Sequence, residues 1–376
     1  MSDDAVAGDA LPGGSTNPRR RPRYAGTHPR RFDQRYKELR PASFPGIHEH
    51  VRAQGRTPAG THVPVMVEEV LAALRPDRGE VVVDCTLGYG GHAIEFLRRI
   101  ATGGRLIGLD VDAAAIERNA ARLGGEGPHS EPRTDAPGAA SFRPHRCHFA
   151  GIGKVLAREG LEGCDILFAD LGPSSMQLDD PARGFSYKHD GPLDMRMDGR
   201  LKRTAAEFLA TLSAGEIADC LREFSDEPHH ERIARAIVER RAVEPITRTR
   251  QLVKLIDSVT RPSGRAAGRR PSGSGHDLHP AARTFQALRM LVNDEMAAVE
   301  QLLRVAPWCL RPGGRIGIVS FHSGEHRRVQ EAFVEGHRCG LYSAISPEAL
   351  VPTPQELRSN PRSRSAQLRW AQRSAS

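Results

Sequence analysis

Val81-Val-Val-Asp-Cys-Thr-Leu-Gly-Tyr-Gly-Gly-His92 predicts a short buried strand that ends in an acid and leads into a glycine loop. Apolar residues at helical spacing follow, and the pattern then repeats with a second acid-terminated strand, Arg105-Leu-Ile-Gly-Leu-Asp110, and a second helix. A strand and a helix repeated at such short range are typical of βαβ units, whose strands lie parallel. The sequence therefore predicts an α/β fold with a mostly parallel sheet.

A third strand, Asp165-Ile-Leu-Phe-Ala-Asp170, also ends in an acid, and a long segment rich in Gly, Pro, Ser and Asp follows it as far as Asp198. Ligands of open α/β sheets bind outside the carboxyl ends of the strands. We therefore expect Asp84, Asp110 and Asp170 to lie at one edge of the sheet and to face a cleft.

Composition narrows the class of partner. The chain has 376 residues and a formal net charge of +8 at pH 7, which favours a polyanionic partner such as nucleic acid. Six cysteines lie far apart without a Cys-x-x-Cys pair, which predicts reduced thiols in a cytoplasmic protein. No apolar run is long enough to span a bilayer, and no group of His, Cys and Asp has the spacing of metal ligands. We therefore expect neither a membrane segment nor a metal site.

Four regions are predicted along the chain. Residues 1–60 are rich in Pro, Gly and Arg and predict a disordered basic tail. Residues 61–198 carry the first part of the α/β core, and residues 279–376 carry its second part and a C-terminal segment. Between them, residues 199–278 show only helical spacing, which predicts an inserted helical domain for substrate recognition.

Local patterns add four further predictions. Residues 124–141 and 261–275 are dominated by Gly, Pro and polar residues and predict surface loops. Thr284–Leu310 predicts one long helix, and Gly313–Phe321 predicts a glycine turn followed by a buried strand.

The glycine loop and the second acid indicate a nucleoside cofactor. Gly88, Gly90 and Gly91 let the backbone approach a ligand, and N–H groups at the following helix start favour an anionic group. Asp110 lies about 20 residues further on, where a carboxylate can accept ribose hydroxyls. The spacing Gly-x-Gly-Gly departs from the dinucleotide motif, so S-adenosyl-L-methionine is the favoured cofactor. Taken singly, the glycines could instead form a tight turn and the acids could cap helices.

Ten motifs together resemble one known family. They are His62-Val-Pro-Val65, Gly88-Tyr-Gly-Gly-His92, Asp170-Leu-Gly-Pro-Ser-Ser175, Gln177-Leu-Asp-Asp180, Arg183-Gly-Phe-Ser186, Asp190-Gly-Pro-Leu-Asp-Met-Arg-Met-Asp198, Arg232-Ile-Ala-Arg-Ala-Ile-Val-Glu-Arg240, His279-Pro-Ala-Ala-Arg-Thr-Phe-Gln-Ala-Leu-Arg289, Ser320-Phe-His-Ser323 and Asn360-Pro-Arg-Ser-Arg-Ser365. In order, over about residues 61–372, they resemble the RsmH (MraW) family of bacterial 16S ribosomal RNA (cytosine-N4)-methyltransferases.

The resemblance implies a class I, Rossmann-like methyltransferase core with an inserted helical domain. It implies an enzyme that uses S-adenosyl-L-methionine to methylate the exocyclic N4 of a cytidine, conventionally position 1402, in the decoding centre of 16S rRNA. The implied partner is 16S rRNA or the small ribosomal subunit rather than DNA, and an oligomer is compatible with the resemblance.

The resemblance also implies functional residues. The cofactor contacts are carried over to Gly90, Gly91, His92, Asp110, Phe149, Asp170 and Gln177. Asp170 is the catalytic candidate, because Asp170-Leu-Gly-Pro173 stands where amino-methyltransferases place acceptors for the hydrogens of the amine. Substrate contacts are predicted for Arg183, Phe185, Tyr187, Asp194, Arg196, Arg283, Arg289 and His322. The alternatives are packing of the two aromatic rings and a structural hydrogen bond from His322. For Asp194-Met-Arg-Met-Asp198 the alternative is a polar bridge from the core to the helical insert, with Met195 and Met197 as packing residues.

Several features depart from the family pattern. Pro173 and Met176 stand beside the expected methyl-transfer site, and Gly324 and His326 follow the Ser-Phe-His-Ser motif. The region between Arg328 and Pro352 is also shorter than usual.

Three other functions are open at this stage. A DNA amino-methyltransferase is disfavoured because the Asp/Asn-Pro-Pro-aromatic motif is missing, and a nicotinamide dehydrogenase is disfavoured by the spacing of the glycines. A catalytically silent RNA-binding factor of ribosome assembly would keep the same fold. The glycine loop with Asp110 and Asp170 weighs against that third function, and binding of S-adenosyl-L-methionine would test it.

Overall fold

The computed structural model describes residues 64–101, 103–124, 140–260 and 279–375. The basic tail predicted for residues 1–60 lies outside them. So do nearly all of the loop predicted for residues 124–141 and all of that predicted for residues 261–275.

Helices and strands alternate through the first part of the core. Apolar residues at helical spacing form the buried faces of the helices, and runs of buried apolar residues form β1, β2 and β4. The elements are α1 (Val67–Leu74), β1 (Val81–Asp84), α2 (Gly91–Ile100), β2 (Arg105–Asp110), α3 (Ala113–Leu123), β3 (Ser141–Arg146), α4 (Ile152–Arg158), β4 (Cys164–Asp170) and α5 (Ser175–Asp179).

The rest of the chain begins with helices only and then returns to the sheet. The helical stretch comprises α6 (Ala205–Thr211), α7 (Ala214–Ser225), α8 (His230–Val243), α9 (Thr249–Thr260), α10 (Ala281–Asn293) and α11 (Glu295–Cys309). The final elements are β5 (Leu310–Ser320), α12 (Ser323–Arg338), β6 (Tyr342–Ile345), α13 (Pro354–Ser359) and β7 (Gln367–Arg373).

Seven strands form one sheet in the order β3-β2-β1-β4-β5-β7-β6. The strands from β3 to β5 in this order are parallel, whereas β7 pairs antiparallel with β5 and β6 antiparallel with β7. The strand order reverses between β1 and β4: the chain adds β2 and β3 on one side of β1 and then crosses over to place β4 on its other side. Open α/β sheets bind ligands at such a point. The predicted α/β fold with a mostly parallel sheet is confirmed.

The register of β1, β2 and β4 brings their terminal acids to one edge. Asp84 lies opposite Gly108 of β2 and Phe168 of β4. Asp110 and Asp170 therefore each stand two positions further along their strands. Asp84 is the deepest of the three acids, at 1% exposure.

Apolar side chains cover both faces of the sheet. Val83 packs in a cluster with Leu302 of α11, while Val82 faces the opposite cluster with Phe96 of α2. This burial on two sides explains the uninterrupted run Val81–Val83, because a strand of a parallel sheet has no solvent-facing side.

The inserted helices have a hydrophobic cluster of their own. Helices α6 to α9 all contribute to it, and so does α10 through Phe285 and Leu288. From the chain before the insert, Phe185, Leu193 and Met195 join the same cluster. The apolar core of the insert therefore extends past residues 199–278, and the limits of the domains stay a prediction.

The single helix predicted for Thr284–Leu310 is wrong. Two helices, α10 and α11, meet at Asp294, whose φ of 50° lies in the left-handed region. Asp tolerates this conformation better than most residues. Apolar residues continue at helical spacing across the break, so periodicity did not reveal it. The strand predicted for Gly313–Phe321 begins earlier, at Leu310, and ends at Ser320.

The six cysteines are all free thiols, and four of them are buried. Burial raises the pKa of the Cys220 thiol to about 12, so that thiol stays protonated at neutral pH. Within the described part of the chain, no helix is both long and apolar enough to cross a membrane.

Candidate functional site

A cavity of about 420 Å³ opens at the carboxyl ends of β1, β2, β4 and β5. Its size is within the range of sites that hold cofactors and other small molecules. The loop after β1, the segment after β4, the junction of α10 and α11, and the turn before α12 all contribute to its wall. Asp110 and Asp170 line the cavity, whereas Asp84 is not among the lining residues. The expectation that all three strand-end acids face the cleft is therefore wrong for Asp84, because its strand ends two positions deeper in the sheet.

The glycine loop shapes one side of the cavity. Gly91 and His92 line it, and the Nε2 atom of His92 lies 3.0 Å from the carbonyl oxygen of Val65. Gly90 is not among the lining residues. Its φ is 71°, and a Cβ there would lie 2.3 Å from Oδ1 of Asn119, so this glycine is required by the close approach of α3.

Asp110 lies at the end of β2 with both carboxylate oxygens in use. Oδ2 accepts a hydrogen bond of 2.8 Å from the Gly88 N–H, and Oδ1 accepts one of 2.8 Å from the Asp112 N–H. Burial raises the pKa of Asp110, and the two hydrogen bonds oppose that rise. Since each carboxylate oxygen has two lone pairs, Asp110 can still accept a ligand hydroxyl. Asp112, not Asp110, caps α3.

Phe149 lines the wall beyond β3, as the first residue of a short 3₁₀ turn, Phe149–Gly151. Its ring is half-buried, with its centroid 4.4 Å from that of His148, which also lines the cavity. An apolar ring at this place can contact the flat face of a heterocycle.

Asp170 has a buried carboxylate oxygen that no described residue satisfies. Its backbone N–H donates to Thr86 Oγ1 at 2.6 Å, but its buried Oδ1 has no hydrogen-bond partner among the described residues. Nδ1 of His92 lies 3.9 Å from the other carboxylate oxygen. A buried polar atom without a partner costs free energy, so Oδ1 is placed to accept a hydrogen bond from a ligand.

Other carboxylates disfavour ionisation of Asp170. Burial raises the pKa of Asp170 well above its usual range, and the negative charges of Asp84, Glu325 and Glu356 raise it further. Burial also raises the pKa of Asp84 to about 7 and that of Glu325 to about 7. This end of the sheet therefore holds several acids with little compensating positive charge.

The segment after β4 continues along the wall. Ser174 caps α5, and the amide oxygen of Gln177 accepts a hydrogen bond of 2.9 Å from the Ser174 N–H. Gln177 and Pro173 both line the cavity, whereas Met176 is 38% exposed and is not among the lining residues. Of the two departures in this segment, only Pro173 faces the site.

A buried polar cluster joins α10, α11 and the turn before α12. Arg289 donates to both carboxylate oxygens of Glu295, at 2.8 and 3.0 Å, and its Nη2 lies 3.2 Å from Nε2 of His322. Burial lowers the pKa of His322 to about 3, and the charge of Arg289 lowers it further, so the ring is neutral. All three side chains line the cavity.

Sequence patterns did not reveal this cluster. Glu295 was not predicted, because its contact with Arg289 depends on the break at Asp294. Arg289 itself is 7% exposed, which places its guanidinium in the wall of the cavity rather than on an RNA-facing surface. His326, one of the residues that depart from the family pattern, follows His322 by four positions in the chain. Its Nδ1 lies 2.6 Å from Oγ of the buried Ser320.

Several predicted substrate residues are not among those that line the cavity. Arg183 pairs with Asp112 and donates to two carbonyl oxygens, those of Arg196 and Met197. Asp194 and Arg196 form a bidentate pair, with N···O distances of 2.7 and 2.8 Å.

These contacts form a polar bridge, residues 183–198, that links the core to the insert. The Met195 N–H donates to the Arg183 carbonyl at 2.9 Å, and Asn293 donates to the Met195 carbonyl at 2.8 Å. Met195 itself is fully buried, with a positive φ of 64°. Asp198 lines the cavity and pairs with Arg146 and Arg200.

The remaining predicted substrate residues lie just before or just after residues 199–278. Phe185 is 5% exposed inside its hydrophobic cluster, so its ring is not presented to a base. Tyr187 is partly buried against the same cluster and stacks on His279, with ring centroids 4.9 Å apart. Arg283 is exposed on α10.

No metal site is seen among the described residues, which hold no group of three or more His, Cys, Asp or Glu side chains that could bind a metal ion.

Comparison with known proteins identifies relatives of the whole core. The sequence profile of the MraW methylase family matches residues 59–374. A protein named ribosomal RNA small subunit methyltransferase H 1, from Lachnoclostridium phytofermentans, is 39% identical over 358 residues, which cover 94% of this chain and 92% of the relative. Ribosomal RNA small subunit methyltransferase H of Acidothermus cellulolyticus is 42% identical over 334 residues, 84% of this chain and 94% of the relative.

A solved structure described as an rRNA methylase from Streptococcus thermophilus also aligns. Its TM-score is 0.34 at 11% identity, with 84% of this chain and 99% of that chain covered. At that score the likeness carries no argument about this chain.

Proposed function

Because the chain belongs to the MraW methylase family, we propose that it methylates the exocyclic N4 of the decoding-centre cytidine in 16S rRNA. The cofactor is S-adenosyl-L-methionine, which supplies an electrophilic methyl group on its sulfonium. The names of the relatives support ribosomal RNA of the small subunit as the substrate. The choice of cytosine and of N4 is supported by the family resemblance and by the chemistry of Asp170.

The residues of the cavity fit this cofactor. Asp110 would accept the ribose hydroxyls, and Phe149 would contact the adenine face. The N–H groups of Gly91 and His92, at the first turn of α2, would face the carboxylate, since no acid occupies that turn. Gln177 would contribute from the facing wall, while Gly90 would act indirectly by allowing the loop to pack against α3.

The observation that carries the proposal is the unpartnered Oδ1 of Asp170. The exocyclic amine of cytosine is a poor nucleophile because its lone pair is delocalised into the ring. An acceptor that binds one N–H of the amine orients the lone pair toward the methyl donor and stabilises the positive charge that develops on nitrogen. Asp170 has a free lone pair in a buried setting, where such a hydrogen bond is strong.

Asp170 can also receive the proton that the amine loses. Its pKa is raised by burial and by neighbouring carboxylates, so its ionised form is a stronger base than an ordinary aspartate. The amine becomes acidic as the methyl group arrives, and water at the open side of the cavity can complete the transfer. The ionised carboxylate is the active form, so the rate should rise with pH through the raised pKa.

The target base must leave its stack to enter the cavity. The neutral His322 and the buried pair of Arg289 with Glu295 line the wall that such a base would contact. The substrate roles predicted for Arg183, Asp194, Arg196 and Arg283 stay predictions. The first three are engaged in the polar bridge, and Arg283 lies on α10.

The test is the methylated nucleoside itself. Purified protein is incubated with S-adenosyl-L-methionine and small-subunit rRNA from cells that lack this chain. The RNA is then digested and its nucleosides are identified by mass spectrometry. We expect N4-methylcytidine at the decoding-centre position. Methylation of another atom or base would contradict the proposal, and RNA binding without any methylation would favour a silent assembly factor.

A further inference from the structure

The motif Asn360-Pro-Arg-Ser-Arg-Ser365 has no role in the reaction described so far, yet it reaches the cavity. Asn360, Arg362 and Ser365 all line it. Together with Arg358 at the end of α13, the motif places three arginines in seven residues, 358–364. We refer to residues 358–364 as the C-terminal arginine segment.

The C-terminal arginine segment presents positive charge that the protein does not neutralise. Arg358 and Arg364 are exposed, and neither pairs with a carboxylate in the described part of the chain. Glu356, an acid in the same helix as Arg358, accepts a hydrogen bond of 2.8 Å from the Met66 N–H. The segment therefore offers two guanidinium groups to a partner.

Arg362 has a carboxylate partner, but the contact is replaceable. Its Nη2 lies 3.1 Å from both carboxylate oxygens of Asp179, with 39% of the arginine side chain and 35% of the aspartate side chain exposed. Surface ion pairs of this exposure contribute little net stability. A phosphate, which arginine binds through two parallel hydrogen bonds, can compete for the same guanidinium.

An aromatic ring lines the same cavity as Arg362. Tyr89 is among the lining residues, and the guanidinium carbon of Arg118 is 5.0 Å from its ring centroid. Burial raises the pKa of Tyr89, and the charges of Arg118 and Arg362 oppose the rise. Arginines interleaved with an aromatic ring are typical of surfaces that hold unpaired nucleotides.

We infer that the C-terminal arginine segment binds the RNA phosphates next to the nucleotide that enters the cavity. The inference rests on the proposed function for the identity of the polyanion. RNA is favoured over an acidic protein because Arg362 lines the cavity that an unstacked base has to enter, and Arg358 and Arg364 lie within four residues of it in the chain. A strand whose base enters the cavity carries one phosphate per nucleotide past this segment.

The experiment compares RNA binding by two double variants. In Arg358→Gln/Arg364→Gln the segment loses its two unpaired charges. The control, Arg78→Gln/Arg158→Gln, removes two exposed arginines at the opposite edge of the sheet. Binding is measured by filter retention at several salt concentrations, with a transcript that contains the decoding-centre helix and, separately, with isolated small subunits. Calorimetry with S-adenosyl-L-methionine and thermal unfolding accompany each variant.

We expect the segment variant to bind the transcript roughly 5- to 50-fold more weakly than the wild type, with a salt slope lower by roughly 1 to 2, as for the loss of about two phosphate contacts. The control should match the wild type. A third variant, Arg358→Lys/Arg364→Lys, should recover most of the affinity because it keeps the charge. Cofactor affinity and unfolding temperature should stay unchanged in all three.

Unchanged RNA affinity in the segment variant, or an equal loss in the control, overturns the inference. Weaker cofactor binding would assign these arginines to the cofactor, and a loss seen only with isolated subunits would assign them to a ribosomal protein. Each of these last two results also overturns the inference. The proposed function fails separately, if the wild-type protein binds the transcript but leaves no methyl group on N4.

Discussion

Aspartates occur in two opposite settings, one at the strand ends and one in the segment that follows β4. At the strand ends, Asp84 and Asp170 are buried, and burial together with neighbouring acids raises the pKa of each. In the segment that follows, Asp190, Asp194 and Asp198 pair with arginines, and hydrogen bonds from those arginines hold the pKa of each below its usual range.

The difference separates residues that await a ligand from residues that hold the protein together. An acid with a bidentate arginine partner has satisfied lone pairs and a compensated charge. A buried acid without such a partner costs stability, which is typical of functional sites. Asp170, which also lines the cavity, is therefore the better candidate for chemistry, although both groups of acids lie in motifs that looked alike in the sequence.

The largest effect should come from Asp170→Asn. The amide keeps the shape of the side chain but cannot act as a charged acceptor or take up the proton. We expect the rate of methyl transfer to fall roughly 100- to 1,000-fold, the usual effect of losing one such group. Single-turnover methylation of small-subunit rRNA, with saturating S-adenosyl-L-methionine, measures it.

Asp190→Asn is the matched control for this comparison. It makes the same chemical change at an exposed aspartate that pairs with Arg248 and is not among the residues that line the cavity. Its rate should stay within about 3-fold of the wild type. If the two variants lose the same activity, the distinction between strand-end and bridge acids fails.

The next-largest effect should be a pH-dependent change in the free energy of unfolding, caused by Asp84→Asn. Burial raises the pKa of Asp84 in the folded protein to about 7, against 3.8 in the unfolded chain, so between these pH values the folded protein holds a proton that the unfolded chain has released. Stability from this group is complete below pH 3.8 and is lost as pH rises to about 7. Asp84→Asn removes the ionisation, so it should stabilise the protein at pH 8 and not at pH 4.

The expected gain at pH 8 is roughly 2 kcal/mol. The full shift converts to roughly 4 kcal/mol at about 1.4 kcal/mol per unit, and the buried amide retains part of the cost of desolvation. Urea unfolding at both pH values measures the gain in the absence of cofactor. Asp190→Asn should show no such gain, because the pKa of Asp190 is lowered rather than raised in the folded protein. A gain of equal size at pH 4 would mean that ionisation of Asp84 is not its cause.

Much of the fold and part of the site followed from local patterns. The strands β1, β2 and β4 end in acids, and parallel strands share one edge for their carboxyl ends, so the cavity and the positions of Asp110 and Asp170 were predictable. His92 and Phe149 line the cavity as the family resemblance implied. Repeated βαβ spacing was sufficient for the strand-end acids, whereas His92 and Phe149 were named only from the resemblance.

Contacts between distant segments were not predictable. The partner of Arg183 is Asp112, 71 positions earlier, so its motif suggested a substrate contact instead. The pairing of Arg289 with Glu295 depends on the turn at Asp294, which periodicity did not show. Gly90 was expected to face a ligand, but its contact with Asn119 of α3 is tertiary. In each case the deciding neighbour is set by packing rather than by local spacing.

The smallest effect should come from Asp194→Asn, which tests the other half of the comparison. Asp194 and Arg196 are each 27% exposed, and their pair lies within the polar bridge. Partly exposed ion pairs contribute about 0.5 to 1 kcal/mol, so the free energy of unfolding should fall by about that amount. Since Arg196 already occupies both oxygens of Asp194, the KM for small-subunit rRNA should stay within about twofold. A KM more than tenfold higher, with unchanged stability, would instead support the substrate contact that the sequence predicted, because the carboxylate would then have to leave Arg196 for the RNA.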